Sequence, residues 1–282
     1  MKEILLFSGV NGNITNINLL ESLLAIDADK ADVLYIHTAL NFGNPNMAFP
    51  KKVLLTEILE TIKQLGVSTL IFPTYTFSFC NGVSFNLQQS KTSMGLLNEF
   101  VRQQEGAIRS CDPLMSNVLL GKHIEFVNNI GKKSIGDNST FDLLHQAPLN
   151  VKFLFLGPSI GDCYTYMHFI EERVNAPYRY KRNFTGQIIN NEQTYEKSFE
   201  LFVRYSNVTP GLGSYIYENI LLERGQAKRI KLGNGAITIT DEKSSYATYV
   251  ELITRYPNFF IKEPFNENEK SEAFTANNMI AL

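Results

Sequence analysis

The chain is poor in the residues that most often announce a function. Its 282 residues include only three cysteines and four histidines. Cys80, Cys111 and Cys163 form neither a C-x-x-C pair nor an even set, which excludes a disulfide framework and suits a reducing compartment. His37, His123, His145 and His168 are scattered, without the short ligand spacings of zinc sites, so no metal is expected. Lysine and arginine form no long run, the formal net charge is -2 and the pI is near 6.1. The electrostatic footprint that phosphate backbones require is therefore missing, which argues against a nucleic-acid partner. No apolar run approaches the roughly 18 to 20 residues a bilayer needs, so no membrane insertion is expected, and the stretch Ile4–Phe7 is too short for a signal-peptide core. The expectation is a cytoplasmic protein, in which the N-x-S/T matches at Asn13, Asn138, Asn183 and Asn207 carry no meaning. Neither a G-x-G-x-x-G nor a G-x-x-x-x-G-K-[ST] is present for a dinucleotide or nucleoside triphosphate.

What is present is an ordinary globular composition, 44% hydrophobic and 19% charged, with enough apolar content for a large core. "NLLESLLAIDA" (18–28) has helical spacing behind a capping Asn18, and "DVLYIHT" (32–38) follows as a buried strand. "FPKKVLLTEILETIKQLG" opens on Pro50 and closes on Gly66 like a helix, and "VSTLIFPT" reads as the next strand. This alternation predicts an α/β fold with helices packed on a sheet. The aromatic, aperiodic stretch 74–91 is long for a connection and is a candidate binding loop. A helix is expected from a capping Ser93, and the strand "VKFLFLG" (151–157) leads through a tight turn into "YTYMHFIEERV" (164–174). That order puts His168 near the end of a central strand, where open α/β sheets keep their ligands. "KSFELFVRYS" and "RIKLGNGAITIT" read as strands, the latter with an Asn234-Gly235 hairpin signal, and "SYATYVELITRY" as a helix. Residues 1–282 read as one domain, in which the part after about residue 185 completes the sheet or forms a small α+β subdomain. The tail "NENEKSEAFTANN" is expected to be poorly ordered.

Residues 157–161, "GPSIG", match the nucleophile elbow G-x-S-x-G in a strand-turn-helix setting. A hydrolase of that kind needs a histidine well downstream of Ser159, and the only later one, His168, sits nine residues on in the adjoining helix. Cys163 lies five residues before His168, off the helical face they would share, and is better read as a small buried side chain.

Five blocks in order, "IHTALNFG", "FPTYTFSFCNG", "RSCDPLMS", "SIGDNSTFDLL" and "YMHFIEE", resemble the aminoglycoside 3-N-acetyltransferase family over about residues 18–190. The likeness is nearest to the branch met in bacterial surface-polysaccharide, or O-antigen, gene clusters, through "PTYTFSFCNG", "VRQQEGAIRSCDP" and "APYRYKRNFTG". The resemblance implies a three-layer α/β/α sandwich with a central mixed sheet and an N-acyltransferase that moves an acetyl or longer acyl group from coenzyme A to a primary amine. It implies acyl-CoA as co-substrate, no metal, and an amino sugar, nucleotide-linked or lipid-linked, as acceptor. Aminoglycoside acetylation and a non-catalytic sugar-binding role are the alternatives, and a homodimer is admitted.

The chemistry assigns roles to particular residues. An amine attacking a thioester needs a base with a pKa near neutrality, and histidine supplies one. His168 is the candidate base. Glu171, one turn on, would fix its tautomer or pair with the cationic amine, and would raise its pKa. The oxyanion donors are sought at Thr38 and the amides after His37, where the resemblance also places coenzyme A. Arg109, Ser110 and Ser116 are candidate donor-site residues, Arg109 either pairing with Asp112 or meeting a phosphate. For the acceptor the candidates are Thr74, Tyr75, Asp112, Tyr178 and Arg179, with Tyr75, Phe77 and Phe79 either a flat surface for a sugar or the inner face of a half-buried strand. Ser139 is as good a helix cap as a ligand contact.

Overall fold

The computed structural model describes residues 2–273, so the end of the tail expected to be poorly ordered, from residue 274 on, lies outside the described residues, whereas its first part forms a 3-10 turn at Glu267–Glu269 and is bonded to Ser206 and Asn207. The strands are β1 (Leu5–Gly9), β2 (Gly12–Thr15), β3 (Val33–Thr38), β4 (Asn44–Pro45), β5 (Thr69–Pro73), β6 (Phe85–Asn86), β7 (Ile108–Arg109), β8 (Asn117–Gly121), β9 (Val151–Leu156), β10 (Arg179–Asn190), β11 (Gln193–Arg204), β12 (Ala227–Leu232) and β13 (Gly235–Asp241). The helices are α1 (Asn16–Ala25), α2 (Lys51–Lys63), α3 (Leu96–Arg102), α4 (Glu125–Asn128), α5 (Thr140–Gln146), α6 (Ile160–Cys163), α7 (Tyr166–Arg173), α8 (Gly213–Glu223) and α9 (Glu242–Arg255).

Seven strands form the central sheet in the order β12-β13-β9-β3-β5-β8-β7. Only β9, β3 and β5 run parallel, and they are neighbours at its centre. The flanking pairs are antiparallel, so the sheet is mixed. The three parallel strands are apolar on both faces because each face is covered. Val33 and Tyr35 of β3 share one core with Val151, Phe153 and Phe155 of β9, while Leu34 and Ile36 share the opposite core with Leu154 and Leu156. The second core is closed by α1, α2 and α3 through residues such as Leu23, Ile58 and Leu97. The first is closed by α5, α7 and α9 through Leu144, Phe169 and Leu252. This is the expected three-layer sandwich.

The C-terminal strands divide between the two expected arrangements. β12 and β13 extend the central sheet beside β9, whereas β10 and β11 form a twelve-rung hairpin in a separate sheet with β6. Element ends differ in detail from the sequence reading. The cap of α1 is Thr15, with Asn18 completing the capping box from inside the helix. α3 begins behind Gly95 rather than Ser93, at a φ of +106° that favours glycine. The β12–β13 turn is Gly233-Asn234, one residue earlier than the Asn234-Gly235 signal, because Gly235 already pairs with Leu232.

Candidate active site

The C-terminal ends of β3, β5 and β9 lie along one edge of the sheet, and the turn after β9 starts the site. Gly157 makes that turn at a φ of +107°, a conformation costly for other residues. Ser159 then caps α6, its backbone N–H donating to Asp162 Oδ2 (2.9 Å). The nucleophile-elbow reading fails here: Ser159 lines a different depression from His168, with Pro158, Glu218 and Arg229.

α7 carries His168 and Glu171 on its buried face. The helix ends in a Schellman motif, with Asn175 left-handed (φ +52°), Ala176 N–H donating to Glu171 O (2.9 Å) and Asn175 N–H to Glu172 O (3.0 Å). This sharp stop folds the chain back so that Tyr178 and Arg179, at the start of β10, return to Glu171. Tyr178 OH donates to Glu171 Oε1 (2.7 Å), and Glu171 Oε2 lies 2.6 Å from His168 Nδ1 and 2.7 Å from Arg179 Nε. Arg179 Nη1 donates to the Phe202 carbonyl (3.1 Å), and Nη2 lies 2.7 Å from His168 Nδ1. A ring nitrogen cannot both donate to the carboxylate and accept from the guanidinium. With Glu171 ionised, the Nδ1–H···Oε2 bond is the charge-assisted one and decides the tautomer.

The electrostatics follow from burial. Glu171 is held down to about 2 despite its desolvation, by the charges and hydrogen bonds of Arg179, His168 and Tyr178. His168 is pushed down to about 4, because burial and the Arg179 charge outweigh Glu171. The expected upward shift from the neighbouring carboxylate is therefore corrected. Both oxygens of Glu171 are engaged, Oε1 by Tyr178 and Oε2 by His168 and Arg179, an arrangement that fixes the imidazole.

His168, Glu171, Tyr178 and Arg179 line one cavity of about 200 Å³. Sequence reasoning missed two of its other residues. Arg204 closes β11 opposite Arg179, and Thr165 lies three residues before His168 on the same helical turn. The i−3 spacing could have found Thr165; nothing local could have found Arg204, twenty-five residues beyond Arg179.

The remaining candidates lie elsewhere. The His37 ring is stacked on Phe155 (5.1 Å, 7°), next to Tyr35, with Nε2 buried, and burial alone lowers it to about 3. Thr38 donates its hydroxyl proton to Asn98 Oδ1 (2.6 Å), and the amide of Ala39 is bonded to Leu156 O (3.0 Å). Two of the oxyanion donors looked for there, the Thr38 hydroxyl and the Ala39 amide, are thus already engaged. Arg109 does not pair with Asp112. It donates to the Thr74 and Ser90 carbonyls (2.6 Å each) and sits over the Phe85 ring (4.8 Å), fastening the stretch 74–91 to the sheet. Ser116 donates to Thr74 O (2.6 Å), while Ser110 accepts from Asn117 N–H (2.9 Å). Thr74 donates back to Ser116 O (3.1 Å). Asp112 is buried, accepting from the amides of Leu114 and Met115 and from Ser134. Tyr75, Phe77 and Phe79 are core residues rather than an open sugar platform. Tyr75 OH bonds Tyr35 OH (2.8 Å). Ser139 is a helix cap, accepting from Asp142 N–H (3.2 Å).

An imidazole oriented by a carboxylate thus lines a cavity of a three-layer sandwich, and the serine of the elbow motif lies outside it. The family model for aminoglycoside 3-N-acetyltransferase matches residues 53–254, and the chain belongs to that family. No curated protein matches it by sequence. Solved structures share the fold. AAC-IIIb determined with CoASH is 20% identical, with a TM-score of 0.72 over 90% of this chain and 99% of that one. A mutant of AAC(3)-IVa in complex with a gentamicin is 16% identical, with a TM-score of 0.70 over 94% of each chain. The YokD protein from Bacillus subtilis is 18% identical, with a TM-score of 0.69 over 86% of this chain and 100% of that one. The protein is accordingly an acyl-CoA-dependent N-acyltransferase, with acetyl-CoA fitting as co-substrate. Among the described residues no group of three or more His, Cys, Asp or Glu is placed to hold a metal, and no helix is long and apolar enough to cross a membrane.

Proposed function

We propose that the enzyme acylates the primary amine of an amino sugar, presented as a nucleotide-linked precursor in surface-polysaccharide biosynthesis, with His168 as the base. The observation that carries the base assignment is the His168 Nδ1–Glu171 Oε2 contact of 2.6 Å on the wall of the cavity. A ring held near pKa 4 is neutral throughout the working range. Its Nδ1–H is pinned to Glu171, so Nε2 is the nitrogen that accepts a proton. As the neutral amine attacks the thioester carbonyl, the C–N bond forms and the carbonyl π pair moves onto oxygen while His168 Nε2 takes the proton the nitrogen sheds. The intermediate collapses with cleavage of the C–S bond, and the imidazolium returns that proton to the departing thiolate. Glu171 stabilises the transient imidazolium. Attack is direct: Cys163 has its thiol pushed up by burial, which leaves no thiolate to form an acyl-enzyme.

Arg179 and Arg204 line the cavity together with Glu171 and Asp162. In the nucleotide-sugar reading the acceptor's phosphates meet the two guanidiniums. Antibiotic acetylation is the second reading, supported by the family itself and by AAC-VIa bound to sisomicin. Thiol release from acetyl-CoA with nucleotide amino sugars and with aminoglycosides tests the two. Turnover of aminoglycosides alone would overturn the sugar assignment, and no turnover with any amine would leave a binding protein.

A further inference from the structure

The cavity at His168 continues beyond its own mouth. Four of its lining residues, Pro210, Gly211, Tyr215 and Ile261, also line a neighbouring groove that Leu212 and Lys262 complete. The base of this groove is paired backbone: Gly211 N–H donates to Phe260 O (2.9 Å), Lys262 N–H to Thr209 O (2.9 Å), and Pro210 bridges Ile261 antiparallel. Glycines let its walls approach. A Cβ on Gly211 would stand 2.8 Å from the Ile261 carbonyl, on Gly213 2.1 Å from Phe259 O, and on Gly161 2.4 Å from the Tyr215 ring. The shape is thus set by backbone contact; beside the exposed Lys262, the open side chains it offers are Leu212 and Tyr215. Leu212 is 72% exposed and Tyr215 43% exposed. Exposed apolar surface joined to a ligand cavity marks a binding groove more often than a lone surface leucine does.

We propose that this groove holds the alkyl chain of the transferred group, so that the preferred donor is an acyl-CoA longer than acetyl. The inference rests on the acyltransferase reading of His168 and names the acyl class that reading leaves open. Three molecular parts meet at the site: coenzyme A with its phosphates and amides, a sugar with its hydroxyls, and the acyl chain. Only the last is apolar along its whole length. Its carbonyl must sit at His168, and a chain continuing from that carbonyl leaves the cavity along Pro210, Gly211 and Ile261 onto Leu212. The groove takes no part in bond making. It acts by burying methylenes, each worth about a three- to fourfold gain in affinity.

The test is calorimetric titration of the full-length protein with coenzyme A, acetyl-CoA, butyryl-CoA and hexanoyl-CoA, without acceptor. The dissociation constant is expected to fall about threefold per methylene, on the order of 80-fold from acetyl to hexanoyl. Leu212→Asp and the milder Leu212→Ser should flatten this slope. Ile216→Asp, on an exposed side chain outside the groove, should keep it. Equal affinity for acetyl- and hexanoyl-CoA, or a slope that survives both Leu212 variants, overturns the groove and leaves the acyltransferase reading standing. Failure of every thioester to bind removes both.

Discussion

Arg179 and Arg204 face each other directly across the first rung of the β10–β11 hairpin, and both line the cavity that holds His168. Like charges in register repel, and here the repulsion reaches the imidazole. Burial and Arg179 bring Arg204 down to about 10, and both arginines help to hold His168 below its ordinary value, Arg179 more strongly. Arg204→Gln should therefore raise the His168 pKa. The acid limb of the kcat/KM profile, or the imidazole shifts in an NMR titration, should move to higher pH. An unmoved limb would show that Arg204 does not act on the ring.

Removing the base and removing its anchor should separate cleanly. His168→Ala is expected to lower kcat by about 10²–10⁴-fold, the range of general-base contributions, with little change in the affinity for acyl-CoA. Glu171→Gln should also cost stability. It leaves the Arg179 guanidinium buried without its carboxylate, a loss on the order of 3–5 kcal/mol that a thermal melt would register. A His168→Ala enzyme at full speed would remove the base assignment.

These two residues were legible in the sequence because their relationship is local. A spacing of three on an apolar helix puts them on one face whatever the tertiary fold. Tyr178 and Arg179 were candidates for the acceptor through their ring and charge, and what brings them to Glu171 is the Schellman stop at Asn175, which turns the chain back. The helix-packed α/β sheet was legible from helix-strand alternation, its three-layer form came with the resemblance, and the double-sided apolarity of "VLYI" and "FLFL" marks strands covered on both faces. Tyr75, Phe77 and Phe79 were ambiguous because alternating aromatics suit a sugar platform and a core equally well. Their sequestration in the core decides it. Arg204 was out of reach, since only the pairing register of a long hairpin brings it to Arg179.

Arg109 distinguishes a ligand contact from a structural fastener. Its guanidinium is bonded to Thr74 O and Ser90 O and covers Phe85, and burial lowers its pKa to about 9. Arg109→Met should release the stretch 74–91. Limited proteolysis should then cut between these residues, and stability should fall by about 2–4 kcal/mol as buried carbonyls lose their donor. The affinity for coenzyme A measured at low temperature should change little. A selective loss of coenzyme A binding with an unchanged melt would return Arg109 to the donor site.

Ser159 offers a sharp test of the discarded elbow. Its place is at the start of α6, where its N–H meets Asp162, and it lies outside the lining of the His168 cavity. Ser159→Ala keeps that backbone N–H and should keep kcat within about twofold. Loss of activity on the scale of His168→Ala would restore a serine nucleophile.

Acid stability carries the signature of the His168–Glu171 pair. The imidazole titrates near 6.5 when unfolded and about 4 when folded, so between these values the unfolded chain binds the proton that the folded one refuses. Stability from this group is complete above pH 6.5 and is lost as the pH falls towards 4. Glu171 has the same sign in a lower window, ordinary at 4.5 and about 2 when folded, and its contribution is lost between them. The melting temperature should therefore decline from about pH 6.5 downward, earlier than carboxylates alone would cause. In His168→Ala the upper part of that decline, between pH 6.5 and 4, should flatten while the lower part persists. A wild-type melting curve level down to pH 4.5 would mean that the ring is not held neutral by its burial beside Arg179.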